Sequence, residues 1–177
     1  PVSWDDGSHL ASEDLARFIV HRALVIDSLA KMPPSSAEDA LHNAILPKRS
    51  DGSEIRENNV WLVDDKFLSY SNIYSDETLA KIIEEVGQSV AEKQQRRPDV
   101  AAFFSKDDEN HPNKLVIIEF KKPGADIFEN NKALMQCRLY ASELADRIST
   151  VLEVFAFSVV EIDDAFYRDM KQTGFKD

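Results

Sequence analysis

Three charged residues lie in two segments that otherwise have the composition of buried β-strands. Asp99 opens the apolar segment 99–104, and Glu119 and Lys121 stand at the end of the apolar segment 116–121. A charged side chain in a buried strand needs a partner, a metal ion or a catalytic role. These three residues therefore indicate a functional site, which the rest of the chain must position.

Strand geometry predicts where these side chains lie. Successive residues of a strand face opposite sides of a sheet, so Glu119 and Lys121 project from one side and Phe120 from the other. The polar segment 105–113 between the two apolar segments is typical of the long loop of a β-hairpin. If the two strands pair, Asp99 at the start of one lies beside Glu119 near the end of the other.

Two carboxylates and an ammonium group at one place favour metal-assisted hydrolysis. Carboxylates a few Å apart repel each other and hold a proton between them unless a divalent cation neutralises both. Mg²⁺ suits such a pair because it takes oxygen ligands and retains water and phosphate oxygens. An ammonium group beside bound water would help to orient or deprotonate it and would balance the charge of a developing oxyanion. This combination predicts hydrolysis of a phosphodiester.

The same residues resemble a known signature. Pro98-Asp99 followed by Glu119-Phe120-Lys121 is similar to the motif of the PD-(D/E)XK nucleases. The resemblance implies that Asp99, Glu119 and the backbone carbonyl of Phe120 bind Mg²⁺, for which Mn²⁺ can substitute, and that Lys121 assists the attacking water. It implies a metal-dependent endonuclease with nucleic acid, most simply DNA, as the substrate.

Two residues of the following helix extend this resemblance. Gln136 and Tyr140 are similar to the Gln-xxx-Tyr element of the RecB-like branch of these nucleases. Four residues apart, they share one edge of a helix, where an amide and a phenol could hold a substrate phosphate or support the catalytic Lys121. Lys122 could add to the grip on substrate. The alternative is that Gln136 and Tyr140 form a hydrogen-bonded pair at the edge of the core.

A helix is predicted ahead of the strands. Ser36 to Asp39 has the pattern of a capping box, and the helix runs to about Leu46. Glu38 and His42 share one flank of this helix, while Asp39 faces the other way. In many of these nucleases such a helix supplies a further acid, and in the RecB-like ones a His, to the metal ion, so the resemblance implies Glu38 as a further metal ligand of the catalytic site and His42 as a supporting residue. The alternative is that Glu38 stabilises the helix N-terminus and His42 is a half-buried neighbour.

The resemblance extends over most of the chain, from about residue 38 to residue 160. The segments 59–66, 75–77, 97–99 and 117–123 resemble a nuclease-type domain found at the C-terminus of some bacterial GHKL-ATPase proteins linked to phage defence. This implies an ATPase domain elsewhere in the full-length chain and a bacterial, cytoplasmic location. It also implies an α/β fold with a restriction-endonuclease-like αβββαβ core, in which helices flank a central mixed sheet.

The order of predicted elements agrees with that core. Strands are predicted at 60–63, 99–104, 116–120 and 151–160, and further helices are predicted from Ser75, around 134–148 and at 163–170. Residues 1–10 are predicted to be a loose tail, followed by an amphipathic helix that Ser12 caps and Pro33-Pro34 ends. We therefore predict two parts: residues 1–34, a linker or dimerisation helix, and residues 35–177, the nuclease-like domain. The first part allows a homodimer.

Composition limits the remaining possibilities. With 177 residues and 43% hydrophobic content, the chain can form one substantial core. The single cysteine, Cys137, excludes an internal disulfide and is predicted to be buried. No apolar run is long enough to span a bilayer and no signal peptide is evident, so we expect no membrane partner and no secretion.

The net charge opposes the favoured function. A formal charge of −11 is not the electrostatic footprint of a DNA-binding domain. Contact with substrate must then come from local basic clusters, from the metal ion or from another domain; the clusters are Lys48-Arg49, Gln95-Arg96-Arg97 and Lys121-Lys122. The main alternative is a nuclease fold that serves assembly or nucleic-acid binding and cleaves weakly or not at all. A carboxylate-pair hydrolase of another substrate is disfavoured because it would leave the Lys121 ammonium without a role.

Overall fold

The chain forms two compact units, residues Pro1–Pro33 and Pro34–Asp177. The structure, a computed structural model, describes residues 4–33, 35–50, 58–62, 72–86, 95–104 and 112–173. The first unit contains helix α1 (Trp4–Ala30). The described part of the second unit is an α/β domain with one mixed sheet of four strands. Within the described ranges, no helix combines the length and the apolar character needed to cross a membrane.

Helix α1 begins earlier than the sequence predicted. Residues 4–10 are helical, so the loose tail predicted for them is wrong, and Ser12 lies inside the helix instead of capping it. The reason is that no proline interrupts the chain between Pro1 and Pro33. Large apolar side chains on this helix are more than half exposed within the chain: Leu15, Ile19, Val20, Leu24 and Ile26.

The second unit consists of helices and strands in alternation. Its helices are α2 (Glu38–Ile45), α3 (Leu79–Glu85), α4 (Ile127–Arg147) and α5 (Asp164–Thr173), and a 3₁₀ helix spans Val60–Leu62. Its strands are β1 (Asn72–Ser75), β2 (Val100–Phe104), β3 (Lys114–Phe120) and β4 (Glu153–Val159). The coarse prediction of an α/β fold with a central mixed sheet is confirmed.

The sheet has the order β1-β2-β3-β4. Strands β1 and β2 pair antiparallel, and so do β2 and β3, with Val100 opposite Ile118 and Phe104 opposite Lys114. The predicted pairing of the two central strands is therefore confirmed. Strand β4 pairs parallel to β3, and α4 provides the crossover that a parallel connection requires. The hairpin register brings the start of β2 to the end of β3.

The first predicted strand is wrong. Val60 and Trp61 are buried as expected, but they lie in the 3₁₀ helix. The side chain of Asn58 accepts a hydrogen bond from the Val60 N–H at 3.2 Å, and the indole of Trp61 donates to the Asn59 side chain at 3.1 Å. These local bonds compete with a strand ladder, and a short apolar run does not by itself distinguish a strand from a buried turn. Asp64 and Asp65, two acids that follow this apolar run and could add to the site, lie outside the described residues.

Strand β1 occupies the position where a helix start was predicted. Ser75 lies in the strand, and α3 begins only after Thr78, whose hydroxyl accepts a hydrogen bond from the Lys81 N–H at 3.3 Å. Helix α2 begins near its predicted position, but Ala37 is its N-cap and no side chain caps it, so the capping box predicted at Ser36 is wrong. The β-branched and aromatic residues Ile73 and Tyr74 explain why this segment is a strand.

The main core lies between the sheet and helices α3 and α4. Its buried side chains come from β1, α3, β2, β3 and α4: Tyr74, Leu79, Ile82, Ile83, Ala101, Phe103, Leu115, Ile117, Cys137, Tyr140, Leu144 and Ile148. The predicted burial of Cys137 is confirmed. Strand β4 was predicted to be buried, and that is wrong: its residues are exposed or half-buried because it is an edge strand with a partner on one side only.

Helix α4 is anchored at both ends of its packing face. The Asp126 side chain caps its N-terminus by accepting hydrogen bonds from the N–H groups of Phe128 and Glu129 at 2.9 Å and 3.0 Å. Near its other end, Leu144 is fully buried in the core. The helix therefore holds Gln136, Tyr140 and the residues between them in a fixed position against the sheet.

Candidate active site

Two hydrogen bonds link Asp99 to the end of β3, and Asp99 and Glu119 together are called the acid pair. The Phe120 N–H donates to Asp99 Oδ2 at 2.7 Å, and the Asp99 N–H donates to Glu119 Oε1 at 3.2 Å. Asp99 precedes β2 and Glu119 is the penultimate residue of β3, so the hairpin register produces the adjacency predicted from the sequence. Glu119 is only 2% exposed and the Asp99 side chain 17%.

Burial makes it unfavourable for both carboxyl groups of the acid pair to be ionised. Burial, followed by the negative charge of Asp99, raises the pKa of Glu119 to about 8. Burial also raises the pKa of Asp99, although the hydrogen bond from the Phe120 N–H and the charge of Lys121 act in the opposite direction. Near neutral pH the pair therefore holds a proton unless a cation replaces it.

Lys121 lies directly beside the acid pair at the end of β3. Its side chain is largely buried, and its N–H donates to the Val159 carbonyl at 3.0 Å, which holds the backbone against β4. Its ammonium nitrogen lies 3.8 Å from Glu38 Oε2 on α2. Its positive charge acts to lower the pKa of both acids, which partly opposes the effect of burial.

Helix α2 presents Glu38 to the site and turns Asp39 away. Glu38 approaches Lys121, and its negative charge contributes to the raised pKa of Glu119. Asp39 instead forms an ion pair with Lys48 at 2.7 Å. Of the two acids at the start of α2, Glu38 therefore faces Lys121 and Asp39 faces Lys48.

His42 is a buried imidazole behind the acid pair. Its Nε2 lies 3.0 Å from Ser75 Oγ, and its ring stacks on Phe120 with centroids 5.1 Å apart. Its Nδ1 has no hydrogen-bond partner among the described residues and lies 3.8 Å from Asp99 Oδ1. Burial lowers the pKa of His42 to about 4, so the ring is neutral at pH 7 and this contact is not an ion pair there. When the Ser75 hydroxyl donates to Nε2, the Nδ1 proton faces Asp99.

Gln136 and Tyr140 lie on the face of α4 that borders the acid pair. The Gln136 amide donates to the Tyr140 hydroxyl at 3.5 Å, and Gln136 Oε1 is buried with no hydrogen-bond partner in the described part of the chain. Burial raises the pKa of Tyr140, and the charges of Glu119 and Asp99 act in the same direction. Lys122 is exposed in the turn after β3.

Two residues near the acid pair were not predicted from the sequence to belong to the site. The Asp76 N–H donates to the Asp99 carbonyl at 2.9 Å, and the charge of Asp76 contributes to the raised pKa of Asp99. Asp76 has φ 51°, a left-handed conformation that aspartate tolerates better than most residues. On the other side, Ser158 of β4 pairs with Glu119, and its buried hydroxyl lacks a partner within the described ranges. The position of Asp76 directly after the strand-forming residues Ile73 and Tyr74 is the sequence feature that could have indicated it. No sequence feature indicates Ser158, because the pairing of β4 with β3 depends on the α4 crossover.

The donor types of the acid pair fit a hard divalent cation, but no larger ligand cluster surrounds it. Among the residues that the structure describes, no group of three or more His, Cys, Asp or Glu side chains is arranged to hold a metal ion. One oxygen of each acid is bonded to the backbone of its partner strand, which leaves the other oxygen for a cation. Mg²⁺ is often held by one or two carboxylates together with water, so this donor set is sufficient for it.

Protein stability is expected to fall as pH rises from 6.5 to 8 in the absence of divalent cations. The pKa of Glu119 is raised from 4.5 to about 8, so over this range the folded protein keeps a proton that the unfolded chain has lost. His42 makes stability rise with pH, but only below pH 6.5, because its pKa is lowered from 6.5 to about 4.

Thermal unfolding of the wild-type protein and of Glu119→Gln measures the pH dependence that Glu119 contributes to stability. The variant should be the more stable protein at pH 8, and the difference should shrink toward pH 6.5; equal slopes would show that Glu119 is ionised throughout.

Comparison with known proteins identifies no relative of this chain. A scan against protein-family models finds no match. Searches of curated proteins and of solved structures also find none. Function is therefore inferred from the geometry of the acid pair and of the residues around it.

Proposed function

We propose that this protein is a Mg²⁺-dependent endonuclease of the PD-(D/E)XK type, with Mn²⁺ as a substitute. The observation that carries the proposal is the buried acid pair, whose carboxylates accept hydrogen bonds from the Asp99 and Phe120 N–H groups, with Lys121 beside it. The order of α2, three strands, α4 and β4 supports a restriction-endonuclease-like core, with α3 inserted between β1 and β2. The pairing of β1, β2 and β3 as an antiparallel meander, with β4 parallel to β3, agrees with this proposal.

Each residue has a distinct role in this proposal. Asp99, Glu119 and the Phe120 backbone carbonyl would hold the metal ion, which when bound polarises the phosphate and lowers the pKa of a water ligand. Lys121 orients the attacking water and stabilises negative charge on the phosphate oxygens with its ammonium group. Glu38 positions the Lys121 ammonium from a distance of 3.8 Å. His42 supports Asp99 by facing it with Nδ1.

Substrate contact in this proposal comes from the edge of α4 and from the turn after β3. Gln136 and Tyr140 offer an amide and a phenol on the side of the acid pair, and Lys122 offers an exposed ammonium group. With a net charge of −11, the chain needs help in binding DNA. We propose that the ATPase domain of a longer bacterial, cytoplasmic protein provides it, as the resemblance to the GHKL-ATPase-associated domains implies.

A second candidate function is an assembly or nucleic-acid-binding module with little or no cleavage. Two observations favour it: the net charge of −11, and the apolar side chains of α1 that are more than half exposed within the chain. Such a helix can pair with a second copy, because burying apolar surface stabilises association. We propose a homodimer through α1 in either case.

A cleavage assay separates the two candidates. Supercoiled plasmid, single-stranded DNA and RNA are incubated with the wild-type protein or Glu119→Gln in Mg²⁺, Mn²⁺ or EDTA. We expect the wild-type protein to cleave DNA with either metal ion but not in EDTA, and Glu119→Gln to be inactive under all conditions. Failure of the folded wild-type protein to cleave any substrate would support the module, and equal cleavage by both proteins would exclude Glu119 from the mechanism.

A further inference from the structure

Arg96 is a basic residue that combines exposure with a fixed backbone position near the acid pair. It lies three residues before Asp99, and its carbonyl accepts a hydrogen bond from the Leu79 N–H at 2.9 Å, which anchors this backbone to the start of α3. Its side chain is 51% exposed, so a ligand can reach it. Of the other basic residues near the site, Lys48 pairs with Asp39 at 2.7 Å and Arg49 lies 3.7 Å from Asp76.

A carboxylate on α4 orients the Arg96 guanidinium. Arg96 NH1 lies 3.1 Å from Glu143 Oε1, and the Glu143 side chain is only 22% exposed. Glu143 Oε2 is buried and has no hydrogen-bond partner in the described part of the chain. Glu143 therefore contacts Arg96 with one oxygen and engages one edge of a guanidinium that has five N–H donors. The remaining donors are left for a second anion.

The polar face of α4 connects Arg96 to the acid pair. Gln136, Tyr140 and Glu143 are spaced at four and three residues, so they lie in a row on one face of the helix. Tyr140 stands in the middle of that row, where the charges of Arg96, Asp99 and Glu119 all act on its phenol. The buried, unpartnered Oε1 of Gln136 marks the same face. Arg96 and the acid pair thus flank one polar strip of α4.

We propose that Arg96 binds a backbone phosphate of the nucleic acid next to the phosphate at the acid pair, and that Glu143 is a positioning residue that holds its guanidinium. The inference rests on the proposed nuclease function. A guanidinium suits this role because its planar fork can bind a carboxylate on one edge and a phosphate on another, which an ammonium group cannot do. It also supplies, in an acidic domain, a cation beside the site where phosphate must bind.

Binding of labelled oligonucleotides in Ca²⁺ tests the proposal without relying on cleavage. We expect Arg96→Ala to weaken the affinity for duplex DNA about ten-fold, because a charge-assisted hydrogen bond is lost. The slope of log affinity against log salt should also fall by about 0.9 for the one phosphate contact removed. Arg96→Lys should restore only part of the affinity. Arg168→Ala, an equal charge change at an exposed position on α5, should leave both quantities unchanged.

The role of Glu143 is tested by two substitutions that both remove its charge. Glu143→Ala removes the contact with Arg96 and should weaken binding several-fold, whereas Glu143→Gln retains an acceptor and should bind at least as well as the wild-type protein. If removal of negative charge were the only effect, both variants would bind more tightly, and Glu143 would not position Arg96. In cleavage assays Arg96→Ala should raise KM and leave kcat nearly unchanged.

The outcomes for binding and cleavage are separable. If the wild-type protein binds DNA in an Arg96-dependent way but does not cleave it, the nuclease proposal fails and the phosphate-binding role of Arg96 stands. If the protein cleaves DNA and Arg96→Ala changes neither affinity, salt slope nor KM, the role of Arg96 is overturned while the nuclease proposal stands. Absence of nucleic-acid binding by the wild-type protein overturns both.

Discussion

Replacement of Asp99 by asparagine should lower Mg²⁺-dependent cleavage by about a thousand-fold and leave the domain folded. The asparagine side-chain oxygen can still accept the hydrogen bond from the Phe120 N–H, so the link between β2 and β3 is retained. What is lost is one of the two negative charges that would hold the proposed metal ion. Stabilisation by a bound metal is worth several kcal/mol, and each loss of about 1.4 kcal/mol costs a factor of ten in rate.

The same variant gives a second measurement that does not depend on activity. Addition of Mg²⁺ or Mn²⁺ should raise the melting temperature of the wild-type protein, because an ion that binds only the folded state stabilises it. In Asp99→Asn this increase should be much smaller. Asp146→Asn, at an exposed position on α4, is the matched control and should behave as the wild-type protein. A normal metal-dependent shift in Asp99→Asn would mean that the ion binds elsewhere.

Lys121→Ala is expected to lower kcat by about a hundred-fold or more with a smaller change in KM. Positioned proton-transfer and charge-stabilising groups of this kind contribute about 10²-fold to 10⁴-fold. Lys121 is largely buried beside the acid pair, so its replacement by alanine leaves a cavity and removes the ammonium group from that position. Because its positive charge lowers the pKa of Glu119, its removal should also raise that pKa further above 8.

The control for Lys121→Ala lies on the same strand. Lys114 begins β3, is about half exposed and forms an ion pair with Glu153 at 2.9 Å, so Lys114→Ala makes the same charge change at the other end of the strand. It should leave cleavage unchanged. Single-turnover rates with saturating DNA distinguish a loss of chemistry from a loss of binding. Equal rates for wild-type protein and Lys121→Ala would remove Lys121 from the mechanism.

The hairpin and the helix after it could be predicted from the sequence because their signals are local. Two apolar segments separated by a polar loop predict antiparallel pairing, and this pairing alone places Asp99 beside Glu119. Likewise, the four-residue spacing of Gln136 and Tyr140 places them together on any helix that contains them. The functional roles of these residues stay proposals, as does the restriction-endonuclease-like fold.

The first strand could not be located in the same way. The apolar segment at Val60 has the composition of a strand, but Asn58 and Asn59 satisfy local backbone and side-chain groups there and favour a tight turn. The segment 72–75 reaches the sheet instead, because it can pair with β2 from Asn72 opposite Phe103 to Ser75 opposite Val100. Only a partner strand, which is distant in sequence, decides between such alternatives.

The sequence by itself determined the chemical types at the site and their positions along the two central strands, because alternation and hairpin pairing act between neighbours. Tertiary structure alone decided that Glu38 faces Lys121, that His42 lies behind Asp99, and that Glu143 meets Arg96. These contacts join helices to residues beside strands that are far away in the chain. They depend on how α2 and α4 pack against the sheet, and that packing is set by the combined burial of many side chains and not by any one motif.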